Sequence, residues 1–309
     1  MRAIKGYEQK NCFYCGSKIT RKSGRINGVQ RYKCAVCGKQ FLGGQRLINE
    51  VLWQEYVVDK QTYNQLSDKY GCSIKTIQRR LDKVKVQKTE IKSGQIVVLM
   101  DTTYFGRSFG VMLFKDAYSG INLYKQYVKH ETNKLYAEGI ASLQSKGFEI
   151  KAIVCDGRRG LLQLFPSIPI QMCQFHQCAI ITRYLTRRPK LEAAIELREL
   201  MLLLAKTDKE SFEGALNAWY HKWEEFLNER KKDAKGKNRY VHRRLRSAYR
   251  SLRTNLPWLF TWYDNIELNI PNTTNAIDGH FADLKNKLRN HNGLSLARKK
   301  KFIDEFLKA

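Results

Sequence analysis

Seven residues of this chain have the types and spacings that hold metal ions. Cys12 and Cys15 are separated by two residues, as are Cys34 and Cys37, with 18 residues between the pairs. Each Cys-x2-Cys forms a tight knuckle that turns two thiolates toward one ion, and two knuckles complete the closed tetrahedral site of structural zinc. So small a segment has little core of its own, so metal binding would supply much of its folding free energy. Tyr32 and Phe41 are expected to pack beside the ion. A redox role is set aside, because thioredoxin-like pairs occur once and in a βαβ setting.

The other three are carboxylates. Asp101 falls late in the apolar run VVLMDTT, and Asp156 closes a second, AIVCDG. Acids placed where a buried strand meets solvent are oxygen ligands of the kind Mg2+ requires. Two such ions, about 3.5–4 Å apart, can activate a nucleophile and stabilise a leaving oxygen in phosphodiester chemistry. One acid after a strand is ordinarily a turn residue or a helix cap. Two, in a suitable strand order on a basic chain, point to metal. The usual ligand set needs a third acid. Asp278 is the best placed, on a helix starting near Thr273 or Thr274. Asp283 lies five residues on and faces away from Asp278, and Glu267 precedes Pro271.

These residues need elements to position them. The stretches QIVVLMDTTYFG, GVMLFKDAYSG and INLYKQYVKH read as three consecutive strands broken at Gly106 and Gly120. Asn133–Lys146 has helical spacing. FEIKAIVCDG reads as a further strand, Arg159–Phe165 as a short helix and IPIQMCQF as a last strand. This β-β-β-α-β-α-β order is ribonuclease-H-like, an α/β layout with helices on the sheet faces, in which the first and fourth strands are neighbours. Residues 177–265 hold no strand-like run and read as all-helical. Trp219, Trp223, Trp258 and Trp262 recur there at helical spacing and read as core. Two closing helices, split near Asn292-Gly293, end the chain.

The charge names the partner. The 309 residues carry a net +27 with a pI near 9.8, which points to nucleic acid. Residues 1–93 hold 20 Lys/Arg against 7 Asp/Glu, a net +13. Within them Thr62–Lys69 and Ser73–Val84 form two helices joined at Gly71, with Ser73 as N-cap of the second. Tyr63, Leu66 and Tyr70 give the first an apolar face, as Ile74, Ile77 and Leu81 do for the second. Lys75, Thr76, Gln78, Arg79 and Arg80 lie mostly on the polar side, the right types for base edges and phosphates in a helix-turn-helix. Residues 230–253 carry 11 Lys/Arg and one acid, Asp233, a bias that favours phosphate contact through groups such as Arg243 and Arg244. The longest apolar runs, such as Ile96–Met100, are far too short for a membrane span, and the first residues lack the apolar core of a secretion signal.

Four segments carry a family likeness: DTTY at 101–104, VCDGRRGL at 154–161, MCQFHQ at 172–177 and NTTNAIDGHFADLK at 272–285. In these the chain resembles Mutator-type transposases, which join many bacterial insertion-sequence transposases to eukaryotic Mutator elements. The zinc ribbon and helix-turn-helix are similar to the front end of many insertion-sequence transposases. The resemblance implies an Asp-Asp-Glu nuclease of ribonuclease-H-like fold, with an all-helical insertion between the second and third acids. The 121 residues between Asp156 and Asp278 fit that. It also implies that Asp101, Asp156 and Asp278 hold two Mg2+, and that Cys173 and His176 support the site or the DNA at its edge. The family's Glu is Asp278 here, one methylene shorter.

The domains expected are a zinc ribbon over 1–45, a helix-turn-helix over 46–93 with a short linker at Lys88–Gly94, and a catalytic domain over 94–309 with its insertion at about 180–270. The function implied is a DNA transposase that binds terminal inverted repeats and catalyses metal-dependent strand cleavage and transfer. It would act as a homo-oligomer on double-stranded DNA, in the bacterial cytoplasm at the nucleoid, away from membrane. The alternative is a DNA-binding regulator descended from a transposase whose catalysis is impaired.

Overall fold

The computed structural model describes residues 11–42, 47–86 and 91–309. The expected domain boundary at 45–46 and the first three residues of the expected linker, Lys88–Glu90, lie outside them. In chain order the elements are β1 (Thr20–Ile26), β2 (Val29–Cys34), β3 (Gln40–Leu42), α1 (Asn49–Val57), α2 (Tyr63–Tyr70) and α3 (Ile74–Lys83). Then come β4 (Gln95–Phe105), β5 (Phe109–Asp116), β6 (Asn122–Val128), α4 (Asn133–Ser145), β7 (Glu149–Cys155) and β8 (Ile170–Met172). The rest are α5 (Gln174–Leu185), α6 (Glu192–Leu203), α7 (Lys209–Asn228), β9 (Arg230–Lys232), β10 (Asn238–Tyr240), α8 (Arg243–Leu259), α9 (Thr261–Asp264), α10 (Asn275–Arg289) and α11 (Leu296–Leu307). Among the described residues no helix is long and apolar enough to cross a membrane.

The chain forms two compact units. The first comprises Met1–Val86 and Lys287–Phe306, the second Gln87–Asn286 and Leu307–Ala309. In the first, β1, β2 and β3 make an antiparallel sheet; among the described residues of this segment the buried ones are Cys12, Tyr32, Cys34 and Phe41. The helices are set by their ends. Thr62 and Gln65 form a reciprocal capping box at α2, Gly71 ends it with φ 60°, and the Ser73 hydroxyl accepts from Thr76 N at 3.2 Å at the start of α3. Leu66, Ile77 and Leu81 are buried as expected, whereas Ile74, expected on the apolar face, is exposed because it sits in the first turn.

Residues far along the chain complete this unit. Arg298 grips Asp82 with two hydrogen bonds of 3.0 and 2.7 Å, and Lys301 Nζ donates to the carbonyls of Leu81 and Asp82. His291 is buried with its ring 4.3 Å from that of Tyr56 and 5.1 Å from that of Phe302. Burial lowers its pKa to about 4. A histidine whose folded pKa is depressed costs nothing above the unfolded value near 6.5, and stability falls as pH drops from there toward 4. The loss is about 2–3 kcal/mol at the bottom of that window. His291→Phe is expected to flatten this pH dependence, read as amide exchange of α1 and α3 in the two proteins at matched pH. Equal slopes would contradict it.

The second unit is built on a mixed five-stranded sheet of order β6-β5-β4-β7-β8, with β6, β5 and β4 antiparallel and β4, β7 and β8 parallel. This is consistent with a ribonuclease-H-like core. Every residue of β5 is buried, so the sheet is covered on both faces. One apolar core runs from the sheet into α5–α8 and includes Trp219, whose indole N–H donates to Ala193 O at 3.0 Å. At Gly139 of α4 a Cβ would stand 2.1 Å from the ring of fully buried Phe114. Gly139→Ala gains about 1 kcal/mol of helix propensity. Forcing a methyl against a ring with no room to swing costs about 1–3 kcal/mol or more. The expected result is a melting transition of this unit lowered by a few degrees, and an unchanged transition would contradict the packing.

Three local expectations need correction. Residues Arg159–Phe165 form turns, not a helix: Gly160 has φ 78°, and the hydrogen bonds Leu161 N→Arg158 O and Leu164 N→Leu161 O span only three residues. The last strand stops at Met172, and Gln174 already opens α5. The helical block also contains a hairpin, β9 with β10. Asp233, the one acid of that basic run, makes it. Its Oδ1 accepts from Lys235 N and Lys237 N at 2.9 and 3.0 Å, and its Oδ2 from Arg239 Nε at 3.0 Å.

Candidate metal centres

The four cysteines converge. Their sulfurs all lie within 4.8 Å of one another, with Cys12–Cys37 at 3.5 Å and Cys15–Cys34 at 3.6 Å. A disulfide needs about 2.05 Å. The edges of a tetrahedron of thiolates about 2.3 Å from zinc are about 3.8 Å. The donor set and spacing therefore fit one tetrahedral ion. The Cys37 backbone N–H, at 3.5 Å from Cys34 Sγ, is the first cause of a lowered Cys34 pKa, while burial and the three neighbouring thiols raise that of Cys15.

The second centre follows from strand register. β4 and β7 are parallel with Leu99 opposite Val154. Asp101 lies two residues beyond Leu99 on β4, and Asp156 follows directly on the last residue of β7. Asp278, on the first turn of α10, and His176, on the first turn of α5, bring ligand atoms within 4.8 Å of Asp101 and of each other. Asp156 lies outside that close set, and its Oδ1 accepts from Arg158 N at 3.1 Å. Asp283 belongs to no such group, and Glu267 is exposed on the short turn after α9.

Charged groups crowd together here. Burial pushes Asp101 up to about 7; the charges of Asp278 and Asp156 add to this, while the Thr102 N–H and His176 oppose it. Contact with the Cys173 sulfur, then the charges of Asp101 and Asp278, raise His176 to about 9. Its Nδ1 is buried without a hydrogen-bond partner. Two close carboxylates and an orphaned imidazole nitrogen fit a divalent cation in chemistry and reach.

Cys173 ties the surrounding elements together. Its N–H donates to Cys155 O at 2.7 Å, and its sulfur accepts from Thr274 N and Thr274 Oγ1, both at 3.3 Å. Thr274 Oγ1 also lies 3.3 Å from Asp278 Oδ2. The end of β7 and the starts of α5 and α10 thus meet at one residue. Burial would raise that thiol's pKa, but His176 and Thr274 outweigh it and lower it. Cys155 and Cys178 join no metal group among the described residues.

Sequence reasoning passed over Glu131. It precedes the N-cap of α4, where an acid reads as a turn residue, yet it accepts from Tyr136 Oη at 2.6 Å and lies 3.8 Å from the Arg158 guanidinium. Burial raises its pKa, with the charge of Asp156 adding to the effect. It is thus a fourth carboxylate beside the centre.

Of the basic residues, Lys75 and Arg79 are exposed on α3, and Thr76 and Gln78 are half-buried there. Arg80 instead turns back into its own unit, donating to Leu47 O at 3.1 Å and Asn49 Oδ1 at 3.3 Å. Arg243 and Arg244 are exposed at the start of α8, and Arg244 Nη2 donates to Arg183 O at 2.6 Å. Next to them Arg230 and Arg246 lie over the Tyr240 ring at 4.3 and 3.6 Å.

No family model and no curated protein sequence matches the chain. Among solved structures it is similar to the catalytic core domain of HTLV-2 integrase in complex with magnesium (dimeric form), at 17% identity and a TM-score of 0.23, over 50% of this chain and 99% of that one. It is also similar to a chain of the simian T-cell lymphotropic virus intasome in complex with PP2A regulatory subunit B56 gamma. That match has 12% identity and a TM-score of 0.22, over 65% of this chain and 68% of that one. At such scores the fold is read from strand order and pairing alone.

Proposed function

We infer that the protein is a DNA transposase of the insertion-sequence kind, similar to Mutator-type enzymes, that cuts element ends and joins them to target DNA. The observation that carries this reading is the meeting of Asp101, Asp278 and His176, with Asp156 just past the end of the neighbouring strand, in a chain of net +27. Asp101, Asp156 and Asp278 would hold two Mg2+, with Glu131 and His176 beside them. Bound there, divalent cations would activate the attacking oxygen and stabilise the leaving one.

The chain's own groups do the rest. Thr274 steadies the Asp278 carboxylate, and Cys173 fixes the helix starts that bring Asp278 and His176 in. His176, charged near neutrality while no cation is bound, offsets the crowded carboxylates. Lys75, Thr76, Gln78 and Arg79 are assigned to reading the terminal repeats, and Arg243 and Arg244 to phosphates. Phosphate contacts carry no sequence information, so Arg79→Ala should weaken binding to the ends selectively, whereas loss of Arg243 and Arg244 should weaken all DNA alike. Asp278 is the one feature favouring an inactive regulator; that its carboxylate comes within 4.8 Å of the ligand atoms of Asp101 and His176 supports the enzyme reading.

The test uses the DNA flanking the gene. Labelled duplexes carrying its terminal inverted repeats should be nicked at the element boundary with Mg2+ or Mn2+ and not with EDTA. Tight binding with no cutting under either metal would replace this reading by the regulator.

A further inference from the structure

Beside the carboxylate centre, wholly within the second unit, is an open cleft of about 880 Å3 between α5, α6 and the start of α10. Its walls are apolar, from Cys178, Ala179 and Met201, and its charged lining residues are arginines, among them Arg183 and Arg198. No acid lines it. Phe175 stands at the edge, 56% exposed, with its ring edge-on to that of His176 at 5.9 Å. The cleft therefore adjoins the centre through one ring contact. Asn275, which also lines it, is three residues before Asp278.

Two polar atoms of the cleft residues lack partners. Gln174 is 1% exposed; its amide nitrogen donates to Leu259 O at 2.9 Å, but its Oε1 accepts nothing. Arg198 Nε is also buried without an acceptor. Both atoms are wholly buried, so they lie behind the cleft's surface and are not themselves ligand contacts.

We propose that this cleft holds an unpaired DNA base next to the strand break, stacked on Phe175, with its flanking phosphates on Arg183 and Arg198. A nucleobase has the matching attributes: flat apolar faces and a phosphate on either side. An apolar peptide would leave the arginines without counter-charge. A paired base keeps its faces covered by its neighbours, so only a base outside the stack meets the Phe175 ring. Arg244, which holds the Arg183 carbonyl, extends the positive rim. The proposal rests on the DNA-cutting reading above and specifies what the site does with the strand it opens.

The experiment uses the full zinc-loaded chain with Ca2+ in place of Mg2+, so that DNA is held uncut. The probes are a fluorescein-labelled blunt duplex and the same duplex with a short unpaired thymidine tail, one tail base being 5-iodouracil. The tail should tighten binding by roughly five- to a hundredfold, the worth of one stacked base. Phe175→Ala should bring the ratio of the two affinities close to one, and Phe175→Trp should keep it. Irradiation should cross-link the tail to the tryptic peptide Gly160–Arg183. Phe175 is on the surface, so its loss leaves the fold intact. A parent protein that binds both duplexes equally, or a Phe175→Ala protein that keeps the preference, would overturn the proposal and leave the DNA-cutting reading standing. A parent that binds neither duplex would overturn both.

Discussion

Asp101→Asn should abolish metal-dependent nicking, lowering single-turnover cleavage by roughly a thousandfold or more while DNA affinity stays within a few-fold. Loss of a group needed chiefly in the transition state has effects of that order. The substitution keeps the shape of a half-buried side chain on β4 and removes the charge that a cation would bind. Burial and its neighbours push Asp101 up to about 7, so without a cation its charge is costly. Asp278→Ala should be as damaging, because Asp278 shares the close set with Asp101 and His176. Asp278→Glu should retain or raise activity, whereas Asp283→Ala should cost little. If Asp283→Ala were inactive and Asp278→Ala cut normally, the third ligand would be misassigned. If Asp101→Asn cut at the parent rate, the centre would not be catalytic.

The second large effect is on folding. Cys34→Ser should remove zinc and unfold the sheet β1–β3. Among the described residues of that segment the buried ones are two cysteines and two aromatics, far too few to offset the entropy of ordering some thirty residues. Zinc bound by four thiolates contributes about 10–16 kcal/mol in comparable small modules. Metal analysis of reduced, unchelated protein should give one zinc per chain for the parent and none for the variant. Amide exchange should show 11–42 unprotected in the variant while β4–β8 stay protected. A parent without zinc, or a zinc-free variant whose sheet keeps its protection, would contradict the assignment.

Much of this was legible in the sequence because the relevant signals are local. Asp101 and Asp156 each close an apolar run, and the parallel pairing of β4 and β7 sets the ends of those runs on neighbouring strands. Ser73 and Gly71 mark a helix start and a helix end by types that only those positions favour. What the sequence hid depends on contacts between distant residues. Glu131 is an ordinary turn acid until folding sets it near Arg158 and Asp156. Arg80 has the composition of a DNA contact, but its hydrogen bonds go to Leu47 and Asn49. Hairpin β9–β10 is masked by lysines and arginines that carry no strand pattern, and it depends on Asp233 accepting from three donors. The turn at Arg159–Phe165 has helix-forming residues but is broken by Gly160 in the left-handed region. The packing of α11 residues on Asp82 and Tyr56 joins segments more than 200 residues apart, which no periodicity reports.

The central claim is that Asp101, Asp278 and their neighbours hold the divalent cation that cuts DNA. Its most direct test is a Mn2+ titration of the zinc-loaded chain at neutral pH, with free Mn2+ read by electron paramagnetic resonance. The parent should take up Mn2+ at a saturable site that Mg2+ displaces, and Asp101→Asn and Asp278→Ala should each lose it while still binding DNA. Equal Mn2+ uptake by the parent and both variants would contradict the account.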